Sequence, residues 1–276
     1  MSARILTAAD APLVREIVAA DPVCNVFVGS RVDVGVLNPT SAGVLWGWPA
    51  DRPRALLHIG ANMVPVATDL DAIPALVEAA GRRRTCQSIV GPSWLAWPLW
   101  QALAARWGSP YQEVREVRRR QPVMSLTRPP LGPIDRRVRP VSGADFASYL
   151  QASVAMYTEE VGSDPLAQGA GAGYRNYCRW LVESGRAFGI VEDGRVIFKS
   201  DIGAASGRVA QIQGVWLDPE LRGRGLSAPA MAAVSEYVLA DYTTACLYVN
   251  DFNTRAIRCY ERVGYEQVGE FATILF

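Results

Sequence analysis

An α+β fold built twice, each copy a mixed sheet covered by helices, is predicted by three features of the sequence. The segment Arg128-Pro129-Pro130-Leu131-Gly132-Pro133 concentrates proline and glycine, and neither a helix nor a sheet ladder propagates through it. It divides the 276-residue chain into halves of similar length, each long enough to bury a core of its own. The halves also open alike. Arg4-Ile5-Leu6-Thr7-Ala8-Ala9-Asp10 aligns with Arg139-Pro140-Val141-Ser142-Gly143-Ala144-Asp145, and both end as a capping box with Asp in the place usually held by Glu. Domains are therefore expected at 1–128 and 138–276, joined by a proline-rich linker over 129–137.

The third feature is the order of elements. In the first half, hydrophobic periodicity predicts a helix after Thr7, strands over 44–48, 54–59 and 62–66, and a helix over 69–80. A strand over 87–90, a helix over 95–107 and strands to Leu126 complete it. In the second half a helix follows Ser142 and another covers 174–184. Strands follow over 187–191 and 196–203, joined by the turn Glu192-Asp193-Gly194, and then over 209–217. A helix over 226–240, a strand over 245–249, a helix over 254–263 and terminal strands over 266–276 close the chain. The tryptophans Trp94, Trp97, Trp100 and Trp107 are expected to pack the core or the two domains together, with a ligand cage as the alternative.

Composition removes several function classes. The net charge of +1 does not suit a nucleic-acid groove, and the clusters Arg82-Arg83-Arg84 and Arg118-Arg119-Arg120 are read as solvated surface. The first ten residues lack an apolar signal core, and no run is long and apolar enough to cross a bilayer, so a cytoplasmic protein with no membrane partner is expected. Five cysteines, Cys24, Cys86, Cys178, Cys246 and Cys259, form no close pair, which fits reduced thiols and no metal site. Lys199 is the only lysine and His58 the only histidine.

The most informative stretch is Val215 to Ala228, V-W-L-D-P-E-L-R-G-R-G-L-S-A. Val215, Trp216 and Leu217 end a strand, Asp218-Pro219 stops it, and a helix opens near Leu226 and Ser227. Between them Gly223 and Gly225 admit backbone angles closed to other residues, so that several N–H groups converge where the helix dipole is positive. Arg222 and Arg224 add fixed charge beside this nest, which suits a diphosphate without any metal. The first half has Ala67-Thr68-Asp69-Leu70-Asp71 at the matching turn, where carboxylates at a helix N-terminus would repel the same ligand.

A second motif follows at Asn253-x-x-Ala256-x-x-x-Tyr260-x-x-x-Gly264-Tyr265. Together the two motifs resemble the GNAT superfamily of acyl-CoA-dependent N-acyltransferases, in which the first turn reads Arg or Gln, two residues, Gly, one residue, then Gly or Ala. Here Ser227 takes the last place. The resemblance implies that acetyl-CoA (coenzyme A) is held by Val215, Trp216, Leu217, Arg222, Gly223, Arg224, Gly225, Leu226, Ser227, Asn253 and Tyr260. In this reading Asn253 meets the pantetheine arm, a backbone N–H near Val215 to Leu217 polarises the thioester carbonyl, and Tyr260 is the acid for the departing thiolate. It also implies an intact second copy and a degenerate first one, as in actinobacterial GNAT proteins with an extra N-terminal domain.

Acyl transfer to an alkylamine of pKa about 10 needs a proton acceptor, because only about one molecule in a thousand is neutral at pH 7. Many family members carry a Glu on the strand before the glycine turn. This chain has Gln211 and Gln213, which take no proton. Glu160 and Glu159 are the first candidates for the base, followed by Asp201, whose neighbour Lys199 makes a structural ion pair the expected role, and the Phe276 carboxylate. The Gly/Ala-rich segment 162–173 reads as a lid or as a plain connector. Two functions stay open: an N-acetyltransferase acting on a small amine or a peptide N-terminus by direct attack, and an acyl-CoA-binding sensor without turnover.

Overall fold

The computed structural model describes residues 1–167 and 171–276, which fall into two compact units. The first comprises Met1–Val123, Tyr248–Asn253 and Gln267–Phe276, and the second Met124–Leu247 and Thr254–Glu266.

The first unit runs β1 (Arg4–Ile5), α1 (Ala11–Ala19), α2 (Val26–Asp33), β2 (Val44–Trp48), β3 (Ala55–Ile59), β4 (Asn62–Val66), α3 (Ile73–Ala80), β5 (Ser88–Pro92), α4 (Ser93–Trp107), α5 (Ser109–Gln112) and most of β6 (Glu116–Leu126). Its strands lie in the order β1-β2-β3-β4-β5, antiparallel except for the parallel pair β4/β5. Strand alternation sends neighbouring residues to opposite faces. Leu57, Met63 and Ile89 thus join Leu76, Leu99 and Tyr111 in one core, while Leu56 and Val64 join Val14, Val28 and Leu45 in another.

The second unit repeats the plan with β7 (Arg139–Pro140), α6 (Phe146–Val161), α7 (Gly171–Glu183), β8 (Ala187–Glu192), β9 (Arg195–Ser206), β10 (Val209–Leu217), α8 (Ser227–Asp241), β11 (Thr244–Tyr248) and α9 (Thr254–Val263), before β12 (Glu266–Leu275). The order is β7-β8-β9-β10-β11, and again only the last pair is parallel. The repeat extends to single hydrogen bonds. Arg4 donates to both Asp10 oxygens at 2.9 and 2.7 Å, and the Thr7 N–H donates to Asp10 at 2.8 Å. Arg139 donates to Asp145 at 2.8 and 3.1 Å, and the Ser142 N–H donates to Asp145 at 3.0 Å. Each guanidinium, helped by the capping N–H, holds its carboxyl well below the usual range. The turn between β8 and β9 places Asp193 and Gly194 at φ 49° and 75°, the left-handed pair that a two-residue hairpin loop demands.

Three features depart from the sequence expectations. Helices α2 and α5 are additional. Helix α3 opens at Ile73 rather than 69, because Asp69 and Asp71 are turned to Arg54 and Asp69 also accepts the Asp71 N–H at 2.9 Å. Those carboxylates therefore bind a guanidinium instead of occupying the helix N-terminus. Trp100 and Trp107 pack against the first-unit core as expected, donating to the Tyr111 and Val77 carbonyls at 2.8 and 3.0 Å, and Trp97 meets Trp100 edge-on, while Trp94 is exposed.

The largest departure concerns the chain end. β12 pairs antiparallel with β5, from Phe271 opposite Pro92 to Leu275 opposite Ser88, so residues 267–276 belong with the first unit although the expected second domain ran to 276. The edge of β5 away from β4 is a row of donors and acceptors that needs a partner, and β12 supplies it. Thr273 on β12 donates to Gln121 of β6 at 2.6 Å. Ile274 is fully buried among Leu57, Met63 and Ile89. Truncating a buried Ile to Ala costs about 2–5 kcal/mol. Ile274→Ala should therefore lower the urea midpoint and expose residues 1–123 to limited proteolysis, and resistance equal to wild type would remove β12 from the first core.

Candidate functional site

β9 and β10 run as a regular ladder only at their ends. Gln211 faces Ala204 but Ile212 faces Ile202, so β9 has one residue too many at Gly203; Gln213 faces Asp201 and Trp216 faces Lys199, so β10 has one too many between them. The second irregularity is a β-bulge carrying Gly214 at φ 61° and the half-buried Val215. Trp216 and Leu217 are buried, and Asp218 stops the strand by accepting the Glu220 N–H at 3.0 Å and the Arg195 guanidinium.

The turn that follows is open. Gly223 and Gly225 have φ of 80° and 77°, and a Cβ at either would meet no atom within 4 Å, so glycine is required there by backbone conformation and not by crowding. α8 begins at Ser227, the residue before it is Leu226, which brings no capping side chain, and Pro229 in the first turn has no N–H. Among the described residues this helix start has no side-chain cap, and it lies beside Arg222 and the exposed Arg224. The turn can hold an anion without a metal.

Arg222 is itself held. Its Nε donates to the Leu217 carbonyl at 3.0 Å, and its two terminal nitrogens donate to the two oxygens of Glu159 at 2.6 and 2.7 Å. This bidentate pair joins the last turn of α6 to the glycine turn and holds the Glu159 carboxyl below its usual range. Glu160 belongs to a different stripe of α6, three turns beyond Tyr149 and in line with Ser153 and Met156. Tyr260, on α9, is buried with its ring edge-on to Tyr265 at 6.0 Å. Burial first, then the neighbouring Cys259, Tyr265 and Glu160, push its hydroxyl pKa up, so the phenol stays protonated and Glu160 lies within its electrostatic reach.

Asn253 immediately precedes α9 and belongs with the first unit, its N–H donating to the Asn250 carbonyl at 2.9 Å. Asp201 makes the expected ion pair: it meets Lys199 at 2.5 Å and accepts the Tyr149 hydroxyl at 2.7 Å. Gln213 lies across Gly203 and donates to the Tyr177 hydroxyl of α7 at 2.6 Å. Phe276 belongs to the first unit, edge-on to Tyr111 and 4.3 Å from the Arg84 guanidinium. His58 is buried there too, bonded to the Asn62 carbonyl at 3.2 Å, and burial lowers its pKa to about 4. The neutral ring is a packing group. The lid reading of 162–173 falls in part on 168–170, outside the described residues. Among the described residues no group of side chains could hold a metal and no helix is long and apolar enough to cross a membrane.

Sequence reasoning did not find Tyr149 and Tyr177. Both sit at ordinary helical spacing, and only the packing of α6 and α7 on the β9/β10 face distinguishes them from other core aromatics.

Residues 154–265 match the acetyltransferase (GNAT) family, and residues 43–149 match a domain of unknown function, DUF4081. No curated protein matches the chain. Among solved structures, an acetyltransferase of the GNAT family from Colwellia psychrerythraea is similar over 100% of both chains, at 9% identity and a TM-score of 0.59. A GCN5-related N-acetyltransferase from Sphaerobacter thermophilus matches 99% of this chain and 94% of its own, at 15% identity and a TM-score of 0.57. A tandem GNAT protein from the clavulanic acid biosynthesis pathway matches 99% of this chain and 97% of its own, at 16% identity and a TM-score of 0.56. These three likenesses establish a shared fold over nearly the whole chain.

The Arg222–Glu159 pair makes a direct prediction. A cation beside a carboxylate stabilises the ionised form, so Arg222→Gln should raise the pKa of Glu159 toward the ordinary value of about 4.3. Carboxyl NMR titration reads the shift, and an unmoved titration would show that the pair does not form in solution.

Proposed function

Because residues 154–265 are a domain of the GNAT acetyltransferase family, we propose that this chain transfers an acetyl group from acetyl-CoA to a primary amine of a small molecule or a peptide by direct attack. The observation that carries the reading is the open turn Arg222 to Gly225, set between the bulge of β10 and the side-chain-uncapped start of α8. The residues fit the group: two left-handed glycines with open space above them, two arginines and the leading helix N–H groups form a cradle for a diphosphate. When bound, acetyl-CoA supplies an acetyl group already activated as a thioester.

The chain's own residues then divide the work. Gly223, Gly225, Leu226 and Ser227 offer backbone donors, and Arg222 and Arg224 offer charge. Asn253 is assigned to the pantetheine arm by family resemblance. The backbone from Val215 to Leu217 directs a donor at the thioester carbonyl, where a preorganised N–H is worth most. Tyr260, kept protonated by burial, offers its hydroxyl to the departing sulfur. Glu160, whose charge reaches the Tyr260 hydroxyl, is the preferred base, and Glu159, stabilised by the Arg222 cation, is the weaker proton acceptor.

The sensor reading keeps one specific observation in its favour: the strand position where a base is common holds Gln213, tied to Tyr177. Thiol release from acetyl-CoA, measured against a panel of amines and peptide N-termini, separates the two. Tyr260→Phe should lower turnover about ten- to a thousandfold with acetyl-CoA affinity nearly unchanged. Gly225→Val should abolish most of the calorimetric binding, because a β-branched residue disfavours the left-handed angle and its side chain enters the cradle. Glu160→Gln should depress the rate and displace the acidic limb of the pH–rate profile. Thiol release with no amine above the background rate, alongside tight binding, would leave the sensor reading standing.

A further inference from the structure

The centre of the second unit holds an ionic cluster that its core does not require. Lys199 and Asp201 are 1% and 2% exposed, and Tyr149 is fully buried. The Lys199 ammonium donates to one Asp201 oxygen at 2.5 Å, the Tyr149 hydroxyl donates to the other at 2.7 Å, and the ammonium lies 5.2 Å from the centre of the Tyr149 ring. Taking two charges out of water is expensive, and apolar residues of similar volume commonly stabilise a core as well or better. The cluster therefore needs a reason other than stability.

Its position supplies one. Lys199 and Asp201 face β10 on either side of the bulge, opposite Trp216 and Gln213. A Cβ on Gly214 would stand 2.7 Å from the Asp201 carboxylate, 2.9 Å from the Lys199 ammonium and 3.4 Å from the Met156 methyl. The backbone of the bulge thus rests directly on the ion pair, and the absence of a side chain at Gly214 is what allows it to do so.

The first unit is an internal control. Its β3 and β4 occupy the same places in the strand order as β9 and β10, yet β3 reads Ala-Leu-Leu-His-Ile with no acidic or basic pair, and its ladder with β4 runs from Leu56 opposite Val66 to Ile59 opposite Met63 without a shift. That copy also lacks the Arg/Gly turn. Ion pair, bulge and anion turn are present together in one copy and missing together from the other.

We propose that Lys199, Asp201 and Tyr149 are positioning residues of the transfer site: the buried pair pins the bulge at Gly214 and so aims the backbone of Val215 out of the ladder toward the acyl group. The inference rests on the transferase reading for its purpose, but not for its structural content. The pair touches neither reactant. It fixes a backbone donor, and displacing such a donor by a fraction of a bond length suffices to cost rate.

The test uses the full chain with Lys199→Met and Asp201→Leu combined, which removes both charges and leaves none unpaired, and with Asp201→Asn alone. The double variant is expected to fold, with a melting temperature lowered only by the loss of the acceptor for the Tyr149 hydroxyl. Amide exchange at 213–216 should quicken at least tenfold while exchange in β8 and α8 is unchanged, and calorimetric acetyl-CoA affinity should stay within about threefold. Turnover should fall about 10- to 100-fold at unchanged KM for the donor. If Asp201→Asn fails to fold, the double variant alone decides. A folded double variant with wild-type exchange at 213–216 overturns the proposal whether or not the wild type transfers acetyl groups, and so does wild-type turnover with quickened exchange. A wild type that binds acetyl-CoA but never transfers it would refute the transferase reading and leave the exchange result to judge the pin.

Discussion

A site that works through backbone N–H groups has to keep those groups out of the sheet without letting the strand become disordered. β10 meets both demands. Its two ends are ladder-bonded to β9, its start is also bonded to β11, and Asp218 closes its far end with bonds to Glu220 and Arg195. Between them the ladder shifts at Gly203 of β9 and again at 214–215 of β10, the second over a glycine with a positive φ. The rest of the second unit is arranged around that interruption. α6 covers it with Tyr149 and Met156, the glycine turn continues from its far end, and α8 starts where the turn finishes.

The two copies show how little sequence separates a scaffold from a site. Both retain the opening Arg–Asp capping box and the same strand order, because these features organise the fold and are indifferent to ligands. In the first copy β3 and β4 pair without a break, the turn after β4 turns its carboxylates to Arg54, and the only histidine is a neutral packing group. In the second copy two glycines, an ion pair and two arginines replace those choices, and donors become available.

Much of this was legible in the sequence because it depends on local rules. The strands at 44–48, 62–66 and 209–217 and the helix at 254–263 fall where periodicity puts them, since alternation and the 3.6-residue repeat act over a few residues. The glycine turn was legible for the same reason, and so was the Lys199–Asp201 pair, two residues apart on one strand. What could not be read depends on contacts across the chain. The pairing of β12 with β5 joins residues about 180 positions apart, and no local signal distinguishes an edge closed by the chain's own end from one closed by a neighbouring strand. The hold of Glu159 on Arg222 spans α6 and the turn after β10, and two exposed charges carry no mark of each other in the sequence. The bulge at Gly214 was not anticipated, although a glycine inside a strand is its ordinary sign.

The two ion pairs of the second unit differ in the property that decides what each can do. The Arg222 and Glu159 side chains are 36% and 51% exposed, those of Lys199 and Asp201 1% and 3%. An exposed pair is worth about 0–1 kcal/mol, because water and salt screen it. A diphosphate with more charge than a carboxylate can therefore exchange for Glu159 at small cost, while until then the pair keeps the guanidinium extended beside the turn instead of sampling its many rotamers. The buried pair has no such freedom. No solvent can replace either partner, so separating them would strand a charge in the core, and the geometry they impose on β10 is as rigid as the core around them. One pair is suited to being displaced by a ligand, and the other to holding the strand still when that happens.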